Sequence, residues 1–199
     1  MGFYENIYNR LYRHGYHKQP NKTHSRHLSN WMVENIEFES VLDIGCANGW
    51  GVEYFSKNGK EATGIDVSKR AISVSQSLGR NCIYGNAVSL PFEDKSFDAI
   101  MSTDVFEHLR MQDVYIAIDE CHRVARRYIS MKISTGYSQG VSGPKAKRGP
   151  YFRAKLQNVI SNLHLTIKST EWWIDKFMKD GSKIAYRNNK EFIIDIGDA

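Results

Sequence analysis

A doubly wound α/β sheet, mostly parallel and finished by an antiparallel hairpin, is the fold class that this sequence predicts, on three observations. Short apolar runs alternate with stretches of helical period, the first of those runs breaks into glycines, and the chain closes with two strand-like segments around an Asn-rich turn. Its 199 residues suit one domain with one core.

Taken in order, Tyr4, Ile7, Tyr8, Leu11 and Tyr12 recur at helical spacing over residues 3–13, and Leu28, Trp31, Met32 and Ile36 over residues 22–36. Strands are expected at 41–44, 62–65, 82–84, 97–102 and 128–133. Helices expected at 50–58, 68–78 and 112–125 supply the crossovers that parallel strands require. Residues 136–150, rich in Gly, Ser, Pro and Lys, read as a loop before helices at 151–162 and 170–180, the second ending at Gly181 as a C-cap. Residues 183–186 and 192–196 read as a hairpin around Arg187-Asn188-Asn189-Lys190, because Asn tolerates the positive φ of a tight turn.

Composition narrows the class. With 41% hydrophobic and 25% charged residues the chain resembles an average globular protein, and no apolar run approaches the ~18 residues of a membrane span. No secretory signal is readable at the N-terminus, so a cytoplasmic, reducing setting is expected. Cys46, Cys82 and Cys121 are odd in number and widely spaced, which argues against a disulfide framework and a zinc knuckle. The net charge of +5 gathers at Arg123, Arg126 and Arg127 and at Lys145, Lys147, Arg148, Arg153 and Lys155. Such patches suit an anionic small molecule or a nucleic acid, or are simply a solvated face.

The stretch with the most chemistry is Val41-Leu42-Asp43-Ile44-Gly45-Cys46-Ala47-Asn48-Gly49-Trp50-Gly51. A strand that runs into glycines and then a helix lets backbone pass close to a ligand and presents free N–H groups. Gly64-Ile65-Asp66-Val67-Ser68 adds a carboxylate at the end of the second strand, placed to accept two charge-assisted hydrogen bonds from a ribose diol.

With these motifs the sequence resembles the class I S-adenosylmethionine-dependent methyltransferases, in particular the ubiquinone, sugar and lipid branch. The likeness runs from Val41 to about Ile133 and includes 90–100 and Asp104-Val105-Phe106-Glu107-His108-Leu109, which look like that branch's fourth-strand motif. The resemblance implies a Rossmann-like, doubly wound, seven-stranded sheet with an antiparallel C-terminal hairpin. It implies S-adenosyl-L-methionine as cofactor and S-adenosyl-L-homocysteine as product. Asp43 and Gly45 would shape the methionine pocket, Asp66 would hold the ribose, and Asn86-Ala87 would lie beside the adenine. Cys46, Gly49, Trp50, Val67 and Thr103 join the cofactor set, and Arg26 is the candidate for the methionine carboxylate. Ala47 replaces a frequent glycine, and Asn86 stands where an aspartate is usual, although its carbonyl can accept the same hydrogen bond. A nicotinamide dehydrogenase is the rival for the glycine-rich turn, but Asp43 would repel a pyrophosphate while suiting an ammonium.

The expected parts of the single domain are an N-terminal helical lid at 1–38, a cofactor core at 39–135, a substrate-side insertion at 136–168 and a C-terminal helix and hairpin at 169–199. Methyl transfer demands mainly alignment, with a general base only for a hydroxyl or protonated amine acceptor. His108, just past the fourth strand, is the first candidate base, or else part of a helix start. His164 in Asn162-Leu163-His164-Leu165-Thr166 is the second, or else a core histidine. Tyr4, Tyr8 and Tyr12 share a helix face that would cover the cofactor or serve as packing, while Trp172 and Trp173 divide between core and acceptor pocket. His14-x-x-His17 and His24-x-x-His27 have ligand spacing but no completing carboxylate or cysteine set, so no metal is expected. The acceptor expected is oxygen or nitrogen of a small molecule. Nucleic-acid methylation lacks its Asn/Asp-Pro-Pro-Tyr/Phe motif, and a non-catalytic binding protein would need a degraded pocket.

Overall fold

A computed structural model describes residues 2–13, 26–136 and 163–197. Seven strands form one sheet: β1 Ser40–Ile44, β2 Glu61–Asp66, β3 Cys82–Tyr84, β4 Phe97–Thr103, β5 Ala125–Lys132, β6 Lys183–Arg187 and β7 Glu191–Asp195, in the order β3-β2-β1-β4-β5-β7-β6. The first five run parallel, and β7 lies antiparallel between β5 and β6. Among the described residues the helices are α1 Phe3–Arg13, α2 Arg26–Asn35, α3 Trp50–Lys57, α4 Lys69–Ser77, α5 Met111–Val124 and α6 Thr170–Phe177. The doubly wound, mostly parallel sheet with its closing hairpin is the architecture that the sequence predicts. The expected helix at 151–162 and the basic stretch 145–155 lie outside the described residues. None of the described helices is long and apolar enough to cross a membrane.

Side chains alternate across each strand, so the sheet builds two cores. Leu42, Ile44, Ile100, Ile129 and Ile194 join Val114 and Ile118 of α5 and Trp173 and Phe177 of α6. On the other face Val41, Ala99, Met101 and Ile193 join Leu28 and Met32 of α2 and Val52 and Phe55 of α3. Trp173 is thus wholly core, whereas Trp172 packs at its edge.

Three expectations need correction. α6 stops at Phe177 rather than 180, because the Ser182 hydroxyl accepts the Lys179 N–H at 2.9 Å and Gly181 turns the chain at φ 83°. β5 begins at Ala125 rather than 128, directly after α5, with an irregular register between Phe97 and Ala99 that accommodates one extra residue on β5. The arginines there are not an open anion-binding patch. Arg123 binds Glu120 and Asp94 and donates to the carbonyls of Leu90 and Phe92, Arg126 pairs with Asp98, and Arg127 with Asp195.

The turn after β1 decides where the sheet opens. The N–H groups of Gly45 and Cys46 both donate to the Ile65 carbonyl, at 2.8 and 3.1 Å, folding the chain against the end of β2. Gly45 sits at φ 77°, and a Cβ there would stand 2.3 Å from Val105 Cγ2. Ala47 follows at φ 51°, a left-handed conformation that costs a side chain about 1–2 kcal/mol. Gly45→Ala should therefore lower the unfolding free energy by about 1–3 kcal/mol. Ala47→Gly should leave it unchanged or raise it by up to about 1 kcal/mol, relief of strain outweighing the added freedom of the unfolded chain. Urea unfolding of the two variants checks this, and a clear loss of stability in Ala47→Gly would contradict the strain at that position.

Candidate active site

A crevice of about 240 Å³ opens at the carboxyl ends of β1, β2 and β4, where the strand order reverses and open α/β sheets bind ligands. Asp43, the penultimate residue of β1, is 5% exposed. It packs so closely on α3 that a Cβ on Gly51 would meet its Oδ2 at 2.4 Å. Burial first, then the nearby Cys82 and Asp66, push its carboxyl up to about 8. Asp66 ends β2 half-buried. Its Oδ2 accepts from the Ala47 N–H at 2.9 Å and its Oδ1 from the Ser68 N–H at 2.8 Å. Burial raises its carboxyl to about 6 against the pull of those two amides. The left-handed turn at Ala47 is what aims its N–H at Asp66, so the unusual backbone and the carboxylate form one device.

The rim is fixed from outside. Trp50, 46% exposed at the start of α3, lies under the Arg80 guanidinium at 4.0 Å, and Arg80 also donates to the Asn48 carbonyl and pairs with Glu53. Asn86 closes a small turn after β3, its Oδ1 accepting from the Val88 N–H at 3.3 Å. Across the opening lies α1. Tyr4, Tyr8 and Tyr12 all face the crevice. The Tyr4 hydroxyl donates to Asp113 and accepts from the Arg110 N–H at 2.9 Å. The other side of α1 is tied to the β2 and β3 ends, where the Ser68 hydroxyl donates to Asn9 at 3.0 Å, Tyr84 donates to Glu5 at 3.1 Å and Lys69 pairs with Glu5.

Beyond β4 a single 3-10 turn, Phe106–His108, carries His108 into the crevice wall. Its ring stands edge-on to Tyr8 at 6.1 Å and to His164 at 4.8 Å. His108 Nδ1 lies 2.9 Å from the Leu163 carbonyl, and burial pulls the imidazole down to about 4, so it is neutral at pH 7.

Asp43, Gly45, Cys46, Ala47, Trp50, Asp66, Val67, Asn86, Ala87, Thr103 and His108, singled out from sequence, all line this crevice. Gly49 stands behind it, where a Cβ would strike Cys82 Sγ at 2.7 Å. His164 is in the layer behind His108. Arg26 is not brought to the site: it is exposed at the first position of α2, with its charge felt by Tyr54 on the outer side of α3. His14, His17 and His24 lie outside the described residues, and His27 binds Glu191 at 2.9 Å. Sequence reasoning missed Asn48, Asp104, Val105 and Leu109 in the wall and Arg80 behind Trp50. The Asp104-Val105 pair directly before Phe106 was the available signal, since residues just past a strand end face the ligand side.

Comparison with known proteins agrees with this geometry. Residues 42–128 match the family model described as a methyltransferase domain. The chain is similar to the fatty-acid O-methyltransferase of Mycolicibacterium smegmatis, 31% identical over 46% of this chain and 35% of that protein. It is also similar to the malonyl-[acyl-carrier protein] O-methyltransferase of Erwinia billingiae, 32% identical over 43% of this chain and 34% of that protein. The matched stretch thus spans about a third of the length of these relatives. In three dimensions the chain resembles an S-adenosylmethionine-dependent methyltransferase of Thermotoga maritima, with a TM-score of 0.62 at 18% identity over 96% of this chain and 97% of that one. Over residues 42–128 in sequence, and over nearly its whole length in fold, the chain is thus similar to S-adenosylmethionine-dependent methyltransferases.

Proposed function

We propose that the chain transfers a methyl group from S-adenosylmethionine to an oxygen of a small molecule, with the cofactor in the crevice at the ends of β1, β2 and β4 and the acceptor on the His108 side. The observation that carries this reading is Asp66, each of whose oxygens is already fixed by one backbone amide and keeps lone-pair capacity for a ribose diol. The residues fit the rest of the cofactor as well. Asp43 offers a buried carboxyl to an ammonium, Gly45 leaves clear the volume that a Cβ would fill, and the tyrosines of α1 offer ring faces to a sulfonium. Oxygen as the acceptor atom is supported by the fatty-acid and malonyl-carrier relatives.

Bound S-adenosylmethionine supplies a methyl group on a positively charged sulfur, which an acceptor atom displaces in line. The protein's part is to align and to exclude water. α1, tied at both sides, covers the site as a lid. With Nδ1 turned to a carbonyl, neutral His108 keeps a lone pair on Nε2 with which to ready a hydroxyl acceptor.

Three outcomes test this. Asp66→Ala should weaken cofactor affinity by roughly 10- to 100-fold, the worth of hydrogen bonds to a charged group; calorimetry showing unchanged affinity in a folded variant would remove Asp66 from the ribose role. Cofactor affinity should rise between pH 6 and pH 8 and then level. The free protein holds a proton on Asp43, whose carboxyl lies at about 8, and on part of Asp66, at about 6, whereas the bound form favours both ionised. Binding therefore releases protons, strengthening by up to about tenfold per pH unit for each group. Titrations in buffers of different ionisation enthalpy measure that release, and an affinity falling across this range would contradict it. Finally, formation of S-adenosylhomocysteine with a panel of hydroxylated and carboxylated small molecules should identify a turnover substrate. On it His108→Gln should lower kcat by roughly 10²- to 10⁴-fold with cofactor affinity nearly unchanged.

A further inference from the structure

Two histidines and a carboxylate from distant parts of the chain meet beneath the acceptor side of the crevice. Glu107 and His108 lie in the turn after β4, and His164 arrives on residues 163–166. That segment is fastened down. The N–H groups of Leu165 and Thr166 donate to the Glu107 carbonyl at 2.8 and 3.0 Å, and the Thr166 hydroxyl donates to the Leu109 carbonyl at 2.8 Å. One ligand-capable atom each of Glu107, His108 and His164 lies within 4.8 Å of the others.

The protonation pattern is that of a ligand set. His108 Nδ1 faces the Leu163 carbonyl and His164 Nδ1 faces the Gly136 carbonyl, at 2.9 and 2.5 Å. A carbonyl only accepts, so Nδ1 carries the proton in both rings and the lone pair sits on Nε2. Backbone carbonyls impose this same tautomer on histidines that bind metals. Glu107 is 0% exposed; its Oε1 accepts the Ser134 N–H at 3.0 Å, while its Oε2 is buried with no hydrogen-bond partner among the described residues. The charged neighbours, Asp104 and Lys132, are paired with each other at 2.9 Å.

We propose that Glu107, His108 and His164 bind one divalent first-row transition-metal cation, and that the ion takes a hydroxyl oxygen of the acceptor as a further ligand. Two imidazoles and one carboxylate favour ions from manganese to zinc over calcium or magnesium. Neighbouring ligands about 2.0–2.2 Å from a common ion lie about 3–3.6 Å apart, so atoms that stand within 4.8 Å of one another close on the ion by about an ångström, within reach of side-chain rotation. Three protein ligands leave open positions, and the ion gives Glu107 Oε2 the partner it lacks. The coordinated hydroxyl then loses its proton to solvent water, both electrons of the O–H bond staying on oxygen, with His108 acting as ligand in place of proton acceptor. That chemical role rests on the methyltransferase reading; the site itself does not. Spacing alone does not point to this set, since the histidine pairs of ligand spacing lie before α2 or at its start.

Metal-free full-length chain titrated with Co²⁺ should bind one ion with visible d–d absorption. Glu107→Gln and His164→Ala should each weaken that binding at least about tenfold. Circular dichroism and a cooperative thermal transition in the same samples report folding, and if the buried Glu107 variant lacks them, His164→Ala decides. Co²⁺ binding of equal strength in the wild type and both folded variants overturns the site, as does its absence from a wild type that binds S-adenosylhomocysteine. A wild type that binds Co²⁺ through these residues but not S-adenosylhomocysteine supports the site and removes the methyltransferase reading.

Discussion

The Asp66 carboxylate joins two turns that would otherwise be independent. By accepting one amide from the β1–α3 turn and one from the β2–α4 turn, it holds the starts of two helices to the end of one strand. An unpaired buried carboxylate would be costly, and two unpaired amides in the turns would be costly as well; each settles the other. The strained backbone at Ala47 is a consequence of that closure, and so is the fixed separation between the buried acid of β1 and the half-buried acid of β2. Everything the crevice offers a ligand is arranged around this junction.

The covering helix depends on it too. α1 makes its polar contacts with Ser68 and Tyr84 on one side and with Asp113 and Arg110 on the other, and these belong to elements that flank the reversal in strand order. A single helix thereby spans the gap between the two halves of the sheet, and its tyrosine stripe is held over the opening by hydrogen bonds at its polar tips. Those rings combine apolar area with a hydroxyl that can be anchored, so one residue type serves both packing and placement.

Much of this was legible in the sequence. Central parallel strands are buried on both faces and read as apolar runs, and the β1 and β2 motifs carry their chemistry in consecutive residues, which is why Asp43, Gly45 and Asp66 were found at once. The failures share a cause: each depends on side-chain partners that periodicity does not reveal. Arg123 reads as surface charge until Glu120, Asp94 and two carbonyls are seen around it. Arg80 is invisible as the support of Trp50, and Arg26 looks like a ligand-binding base until α2 is placed. The end of α6 is set by a hydroxyl five residues past Phe177, which competes for a backbone N–H that helical periodicity assumes is available. The grouping of Glu107, His108 and His164 likewise exists only after folding.

The chain between Gly136 and Leu163 leaves and returns at nearly one place, since the Gly136 carbonyl meets the His164 ring and the Leu163 carbonyl meets that of His108. Both ends are therefore secured by the scaffold rather than by whatever lies between them. Both imidazoles are in this way oriented by main-chain oxygens, which a substitution of the side chains around them leaves in place.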